Sequence, residues 1–178
     1  MRGGRDQTAA HIEQMLRQNI DDLLAYVERR VSVRADAADI LGDAIETIWR
    51  RSSALPAEPV EARMWMFTVV RNTMLNARWS TRRRAAAFDR LRGKLERTPP
   101  PFTTEERLDV QAAMNTLPAG LIELVRLLHW DGFSITEAAS LLSIPPSTAR
   151  TRYATARRLL KEEISRISAG TTLGRDVS

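Results

Sequence analysis

The 178-residue chain has no cysteine and only two histidines, His11 and His129. Without cysteine there are no disulfides, no thiol catalysis and no cysteine-ligated zinc. Two histidines far apart in sequence argue against a histidine metal site or a Ser/His/Asp constellation. His129 stands beside Trp130 at the end of a helical stretch, where a packed or solvated imidazole is the ordinary reading. The eight glycines form no phosphate-cradling loop. No apolar run approaches the length of a membrane span, and the N-terminal stretch MRGGRDQTAAH has no apolar signal core. The expectation is a cytoplasmic protein without membrane insertion, metal, cofactor or catalytic residues. Lysine is scarce too: apart from Lys94 and Lys161, all of the 27 basic residues are Arg. A GC-rich genome produces that bias as readily as function does.

What the chain does have is an uneven charge. The formal net charge of +5 is made up of 8 basic and 10 acidic residues over 1–60, 10 basic and 3 acidic over 61–104, and 9 of each over 105–178. In the last segment the basic residues concentrate between Arg150 and Arg158. A basic centre followed by a basic helix face is an electrostatic footprint for nucleic acid, whereas the acidic first third fits a protein partner.

The periodicity is helical throughout, and no strand pattern survives. Ile12, Met15, Leu16, Ile20, Leu23, Leu24, Val27 and Val31 predict one long helix. Asp36 is placed to cap a second, with Ile40, Leu41, Ala44, Ile45 and Ile48 as its buried stripe. Residues 52–59 read as a loop with two prolines. A third helix is predicted from Glu61 to Ser80, with Trp65 in its core. Residues 82–104 open with Arg82-Arg83-Arg84 and close with Pro99-Pro100-Pro101, which reads as a basic linker with a frayed helix around Phe88 to Leu95. Helical pattern resumes at Thr104, giving one helix to Thr116 and another from Pro118 to Trp130. Residues 168–178 are small and polar and read as a disordered tail. The predicted fold is all-α: two small helical domains, 1–81 and 105–167, joined by a flexible linker over 82–104.

Residues 134–158, SITEAASLLSIPPSTARTRYATARR, are the most informative segment. Ser134 and Glu137 form a capping box for a short helix whose apolar side is Ile135, Ala138, Ala139, Leu141 and Leu142. Ser143 and Ile144 make the turn, and Pro145-Pro146 open the next helix. Ala149, Tyr153, Ala156, Leu160 and Ile164 recur at helical spacing and form its buried back. Ser147, Arg150, Thr151, Ala154, Thr155 and Arg158 form its front. An apolar back with a small, polar, basic front is the shape of a DNA-reading helix-turn-helix, although any amphipathic helix pair in an Arg-rich chain carries a basic solvated face.

Both halves of the chain resemble the extracytoplasmic-function (ECF) sigma factors of bacterial RNA polymerase, over about residues 10–81 and 105–166. LPAGLIELVRLLHWDGFSITEAASLLSIPPSTARTRYATARRLLKEEI is similar to region 4 of that family. It has the Leu-Pro start, the aromatic-x-Gly step, the Glu-Ala-Ala helix and the Thr-x-x-x-Arg recognition helix. DAADILGDAIETIWRR resembles the polymerase-binding helix of region 2, and EARMWMFTVVRNTMLNARWSTRRR the helix that holds the promoter −10 element. The departures are modest. Gly42 replaces a long polar residue and weakens its helix by roughly 1 kcal/mol relative to Ala. Ser143 occupies a turn position that is often Gly, and Ala154 replaces a larger residue.

The resemblance implies a set of roles. Asp39, Asp43 and Glu46, spaced i, i+4, i+7 on one helix face, would meet the β′ clamp of RNA polymerase core; read alone, they are an ordinary solvated acidic face. Arg71, Asn72, Asn76, Arg78, Arg82 and Arg83 would contact the −10 element, with Trp79 either packed or stacked on a base. Residues 52–60 would form the loop that captures a flipped-out base, here without an aromatic platform, so that hydrogen bonds carry the selectivity. Ser147, Thr148, Arg150, Thr151, Ala154, Thr155, Arg157 and Arg158 would hold the −35 element. The implied partners are RNA polymerase core, through the β′ clamp and the β flap, promoter DNA and an anti-sigma factor. Two readings compete with this one: a stand-alone helix-turn-helix regulator, and a helical adaptor whose linker binds acidic proteins or RNA.

Overall fold

The computed structural model describes residues 3–31, 34–88 and 105–173, with side chains over 9–31, 35–77 and 110–167. These residues form seven α-helices and one 3₁₀ turn, with no strand among them. They fall into two compact units, Met1–Pro99 and Pro100–Ser178.

The first unit is a three-helix core. Helices α1 (Gly3–Glu28), α2 (Arg34–Arg50) and α3 (Pro59–Phe88) each pack on the other two. Ile12, Met15, Leu23, Tyr26 and Val27 of α1 are buried against Ala37, Ile40, Leu41, Ala44 and Ile48 of α2 and Met66, Phe67, Val70 and Met74 of α3. Tyr26 and Phe67 meet edge to face, ring centroids 5.3 Å apart at 88°. An arginine covers each ring: Arg30 lies 3.7 Å from the Tyr26 centroid and Arg63 lies 4.7 Å from that of Phe67. Arg30 is buried because it also ends α1. Its guanidinium donates to the Tyr26 carbonyl at 2.9 Å, placing a cation and a donor on the free carbonyl end of the helix. Arg63 pairs with Asp22 at 3.2 Å and ties α3 to α1.

The second unit is built around α7. Helices α4 (Glu105–Thr116), α5 (Ala119–His129) and α6 (Ile135–Leu141) all pack on α7 (Pro146–Leu173). Met114, Leu117, Leu121 and Val125 close over Ala156, with Ile122, Leu159 and Leu160 at the margin. Ala138, Ala139, Ala149 and Ala156 are fully buried, and their small side chains let the helix backbones approach.

Local chemistry explains the bend before α7. Ser134 accepts from the Glu137 N–H at 3.3 Å while the Glu137 carboxylate accepts from the Ser134 N–H at 2.8 Å, the predicted capping box. Gly132, at φ +71, turns the chain from α5 into that cap; a Cβ there would meet no atom within 4 Å, so the need for glycine is conformational. After α6, Ile144 N–H donates to Ala139 O and Ser143 N–H to Ser140 O, both at 3.0 Å. That pair of bonds is a Schellman motif, and it places Ser143 in the left-handed region at φ 55. Pro146 then opens α7, where a missing N–H costs no intrahelical bond.

Some expectations change. Helix α3 does not stop at Ser80 but continues through Arg82–Arg84 to Phe88, so the first seven residues assigned to the linker are helical. Helix α7 runs to Leu173, through the first half of the stretch expected to be disordered. Arginine and alanine are good helix formers, which carries α3 through 82–87; in 168–173 Gly170, Thr171 and Thr172 are poor helix formers, but no proline stops a helix already nucleated by packing. Asp36 lies inside the first turn of α2, which begins at Arg34, rather than at its cap. Trp65 and Tyr153, expected in the core, are only half-buried. Ile164, the last residue of the expected α7 back, is exposed, because α7 outruns the helices that cover it. Residues 89–104, which hold the rest of the linker and most of the frayed helix, lie outside the described residues, as do 174–178.

Gly42 sits on the exposed face of α2, and a Cβ added there would meet nothing within 4 Å. Gly42→Ala is therefore expected to raise the stability of the first unit by about 1 kcal/mol, through helix propensity alone. Thermal unfolding of the variant against the parent chain checks this; a lower midpoint would mean that the glycine has a packing role.

Candidate nucleic-acid and polymerase interface

The front of α7 is exposed and its back is buried. Ser147, Thr151, Ala154 and Arg158 recur at i, i+4, i+7 and i+11 and form one exposed column. Arg150, Ala154, Arg157 and Lys161 form a second, also exposed. Thr148 and Thr155, expected on the same surface, are half-buried at its edge. The columns are not equally free. Arg158 pairs with Glu162 at 2.8 Å, so its charge is locally offset. The Thr151 and Thr155 hydroxyls donate to the carbonyls of Ser147 and Thr151, at 3.1 and 3.0 Å, and keep only acceptor capacity for a ligand. Arg157 leans over the Tyr153 ring at 5.9 Å. The Tyr153 hydroxyl meets His129 Nε2 at 2.9 Å, which ties α7 to the end of α5.

Arg150 is exposed, and its guanidinium has no partner among the described residues. Arg152 is also exposed, on the opposite flank of the helix, and has no partner among the described residues. It is the arginine of the Thr-x-x-x-Arg pattern, Thr148 to Arg152, and that pattern is the sequence signal for a residue the expected −35 set lacks. The result is a helix with a small, polar centre flanked by exposed guanidinium groups, the arrangement that lets a backbone approach base edges while arginines reach bases or phosphates.

The α2 face is acidic. Asp36, Asp39, Asp43 and Glu46 are all exposed. Glu46 lies 3.6 Å from Arg50, within its own helix. The Asp39 and Asp43 carboxylates have no ion pair or hydrogen bond among the described residues, so two uncompensated charges face outward one turn apart.

On α3, Thr68, Asn72 and Asn76 form an exposed column with half-buried Arg71 beside it, and the side chains of Arg71, Asn72 and Asn76 have no partner among the described residues. Trp65 belongs to this column by spacing, which explains its partial exposure. The helical backbone carries Arg78, Arg82 and Arg83 further along the same helix; their side chains, and that of Trp79, lie outside the described residues. Between α2 and α3 the chain makes the 3₁₀ turn Ser52–Ala54, and residues 57–60 are exposed. Among the described residues no group of three or more His, Asp or Glu could hold a metal ion, and no helix is long and apolar enough to cross a membrane.

The two helical units carry separate polar faces, one acidic on α2 and one basic on α7, as the resemblance to sigma factors implies. Comparison with known proteins agrees. The sigma-70 region 2 family model matches residues 15–85, and the sigma-70 region 4 model matches residues 107–160. The ECF RNA polymerase sigma factor SigL of Mycobacterium tuberculosis is 26% identical over 147 residues, covering 78% of this chain and 80% of the relative. Among solved structures, the sigma factor RpoE from Bartonella quintana, in complex with the anti-sigma factor NepR, is 22% identical with a TM-score of 0.66, covering 86% of this chain and 96% of that one. CnrH, in complex with the cytosolic domain of CnrY, is 19% identical with a TM-score of 0.60, covering 90% and 94%. The two structures support the fold. The chain belongs to the sigma-70 family and is an RNA polymerase sigma factor of the ECF class.

Proposed function

We propose that the chain works in the cytoplasm as a non-enzymatic initiation factor, binding RNA polymerase core with its first unit and promoter DNA with both. The domain limits that go with this are 1–81 for region 2 and 105–167 for region 4. Asp39, Asp43 and Glu46 meet the β′ clamp, and the second unit meets the β flap. The α3 column of Arg71, Asn72 and Asn76, with Arg78, Arg82 and Arg83 beyond it, holds the −10 element, and residues 52–60 select a flipped base as the duplex opens. Ser147, Thr148, Arg150, Thr151, Ala154, Thr155, Arg157 and Arg158 hold the −35 element, joined by Arg152. The RpoE–NepR complex supports an anti-sigma protein as a further partner.

The observation that carries the −35 assignment is Arg150, exposed and without a partner among the described residues, beside the small-residue column of α7. Arginine reads guanine through two parallel hydrogen bonds, and losing such a pair costs about 1–3 kcal/mol. Arg150→Ala is expected to weaken a matched −35 duplex by that amount and to relax preference at one base position. Binding to matched and scrambled duplexes, measured across salt concentrations, checks it. Equal binding of both duplexes by the variant and the parent chain would remove Arg150 from the reading surface.

A further inference from the structure

The loop between α2 and α3 has few internal restraints. Ala54 N–H donates to Arg51 O at 2.9 Å, Leu55 N–H to Ser52 O at 3.2 Å and Ala62 N–H to Glu58 O at 2.8 Å, all local bonds. Among the described residues, a single hydrogen bond reaches the loop from another element. It joins His11 Nε2, on α1, to the Pro56 carbonyl at 3.0 Å, across 45 residues of sequence, in a partly buried position. A carbonyl oxygen only accepts, so Nε2 carries the proton and donates. Leu55 and Pro56 are half-buried, while residues 57–60, immediately beyond, are exposed. Pro56 has a fixed φ and no N–H. Its carbonyl, held by His11, sets the peptide plane from which the exposed segment departs.

The loop has no aromatic residue. A base held there has no side-chain ring to stack on, and its selection falls to hydrogen bonds from Ser52, Ser53, Glu58 and the loop backbone. Such bonds weaken steeply with misalignment, so they discriminate only if the loop is held in one shape. We propose that His11 is a positioning residue for base selection: through Pro56 it fixes the loop over 52–60 in the shape that distinguishes one unstacked base from the others. The inference rests on the reading of this loop as the base-selecting element.

The test uses the full chain assembled with bacterial core RNA polymerase. The probe is a single-stranded DNA pool with a random window, selected by the holoenzyme and sequenced. His11→Leu removes the donor, and His11→Gln keeps an amide N–H close to the place of Nε2. The parent chain is expected to enrich one base at one position. His11→Leu should reduce that enrichment about fivefold, the worth of one ordinary hydrogen bond, and His11→Gln should restore it to within about twofold. Binding of a −35 duplex should be the same in all three. Undiminished enrichment by His11→Leu overturns the proposal. So does an equal loss in His11→Gln, or a loss in His11→Leu that extends to the −35 duplex, because either marks a merely structural residue. If the parent chain itself enriches no base, the reading of the loop fails, and that outcome is seen without any variant.

Discussion

Asp39→Arg combined with Asp43→Arg is expected to lower affinity for RNA polymerase core by at least about a hundredfold and to leave the fold intact. Both carboxylates are exposed, and neither has a partner to lose among the described residues. The buried stripe of α2, from Ala37 to Ile48, is untouched, and Arg is a better helix former than Asp. Asp36, the acidic residue in the first turn, stays in place to favour the positive end of the helix dipole. The cost therefore falls on the interface, where two reversed charges would meet a surface shaped for carboxylates. Like-charge juxtaposition at an interface costs several kcal/mol, and about 3 kcal/mol is roughly a hundredfold in affinity. Core binding and circular dichroism should be measured together. Unchanged core affinity would show that this face is only solvated surface.

Phe67→Ala is expected to destabilise the first unit by about 3–5 kcal/mol, the usual cost of emptying a buried aromatic site. Phe67 is buried at the seam of α1 and α3. Removing it takes away the edge-to-face partner of Tyr26 and the ring beneath Arg63, and leaves a cavity in a core of Leu, Met and Val side chains. The second unit has its own core around Ala156. Denaturant unfolding followed by an α7-localised probe and by an α1-localised probe should therefore separate, with only the α1 signal shifting to lower denaturant. A common shift of both signals would mean that the two units unfold as one.

The helices and the α7 face were legible because their signals are local. The Ser134/Glu137 box, the Pro145-Pro146 start and the alternation of Ala with Arg and Thr over 147–158 each act within a few residues. The misses have physical causes. The Arg82–Arg84 run reads as an end of helix, but charge alone does not stop a helix; proline does, and none occurs between there and Pro99. Trp65 and Tyr153 are largely apolar and fall at core spacing. Yet Trp65 shares a column with Thr68 and Asn72, and the Tyr153 ring reaches the rim, where its hydroxyl meets His129. Truncating Tyr153 would therefore cost less than emptying a core site. Arg30, buried on Tyr26, defies the rule that arginine stays outside because its charge is engaged by a helix end and a ring face. The His11–Pro56 bond could not be read at all, since nothing in either segment announces a contact 45 residues away.

Promoter-specific initiation is the most direct measure of the account. Purified core RNA polymerase, mixed with this chain and a pool of bacterial genomic DNA fragments, should yield discrete run-off transcripts that are absent with core alone. Those transcripts should disappear when the chain carries Asp39→Arg and Asp43→Arg. A chain that shifts duplex DNA without core, and gives no transcript with it, would contradict the account.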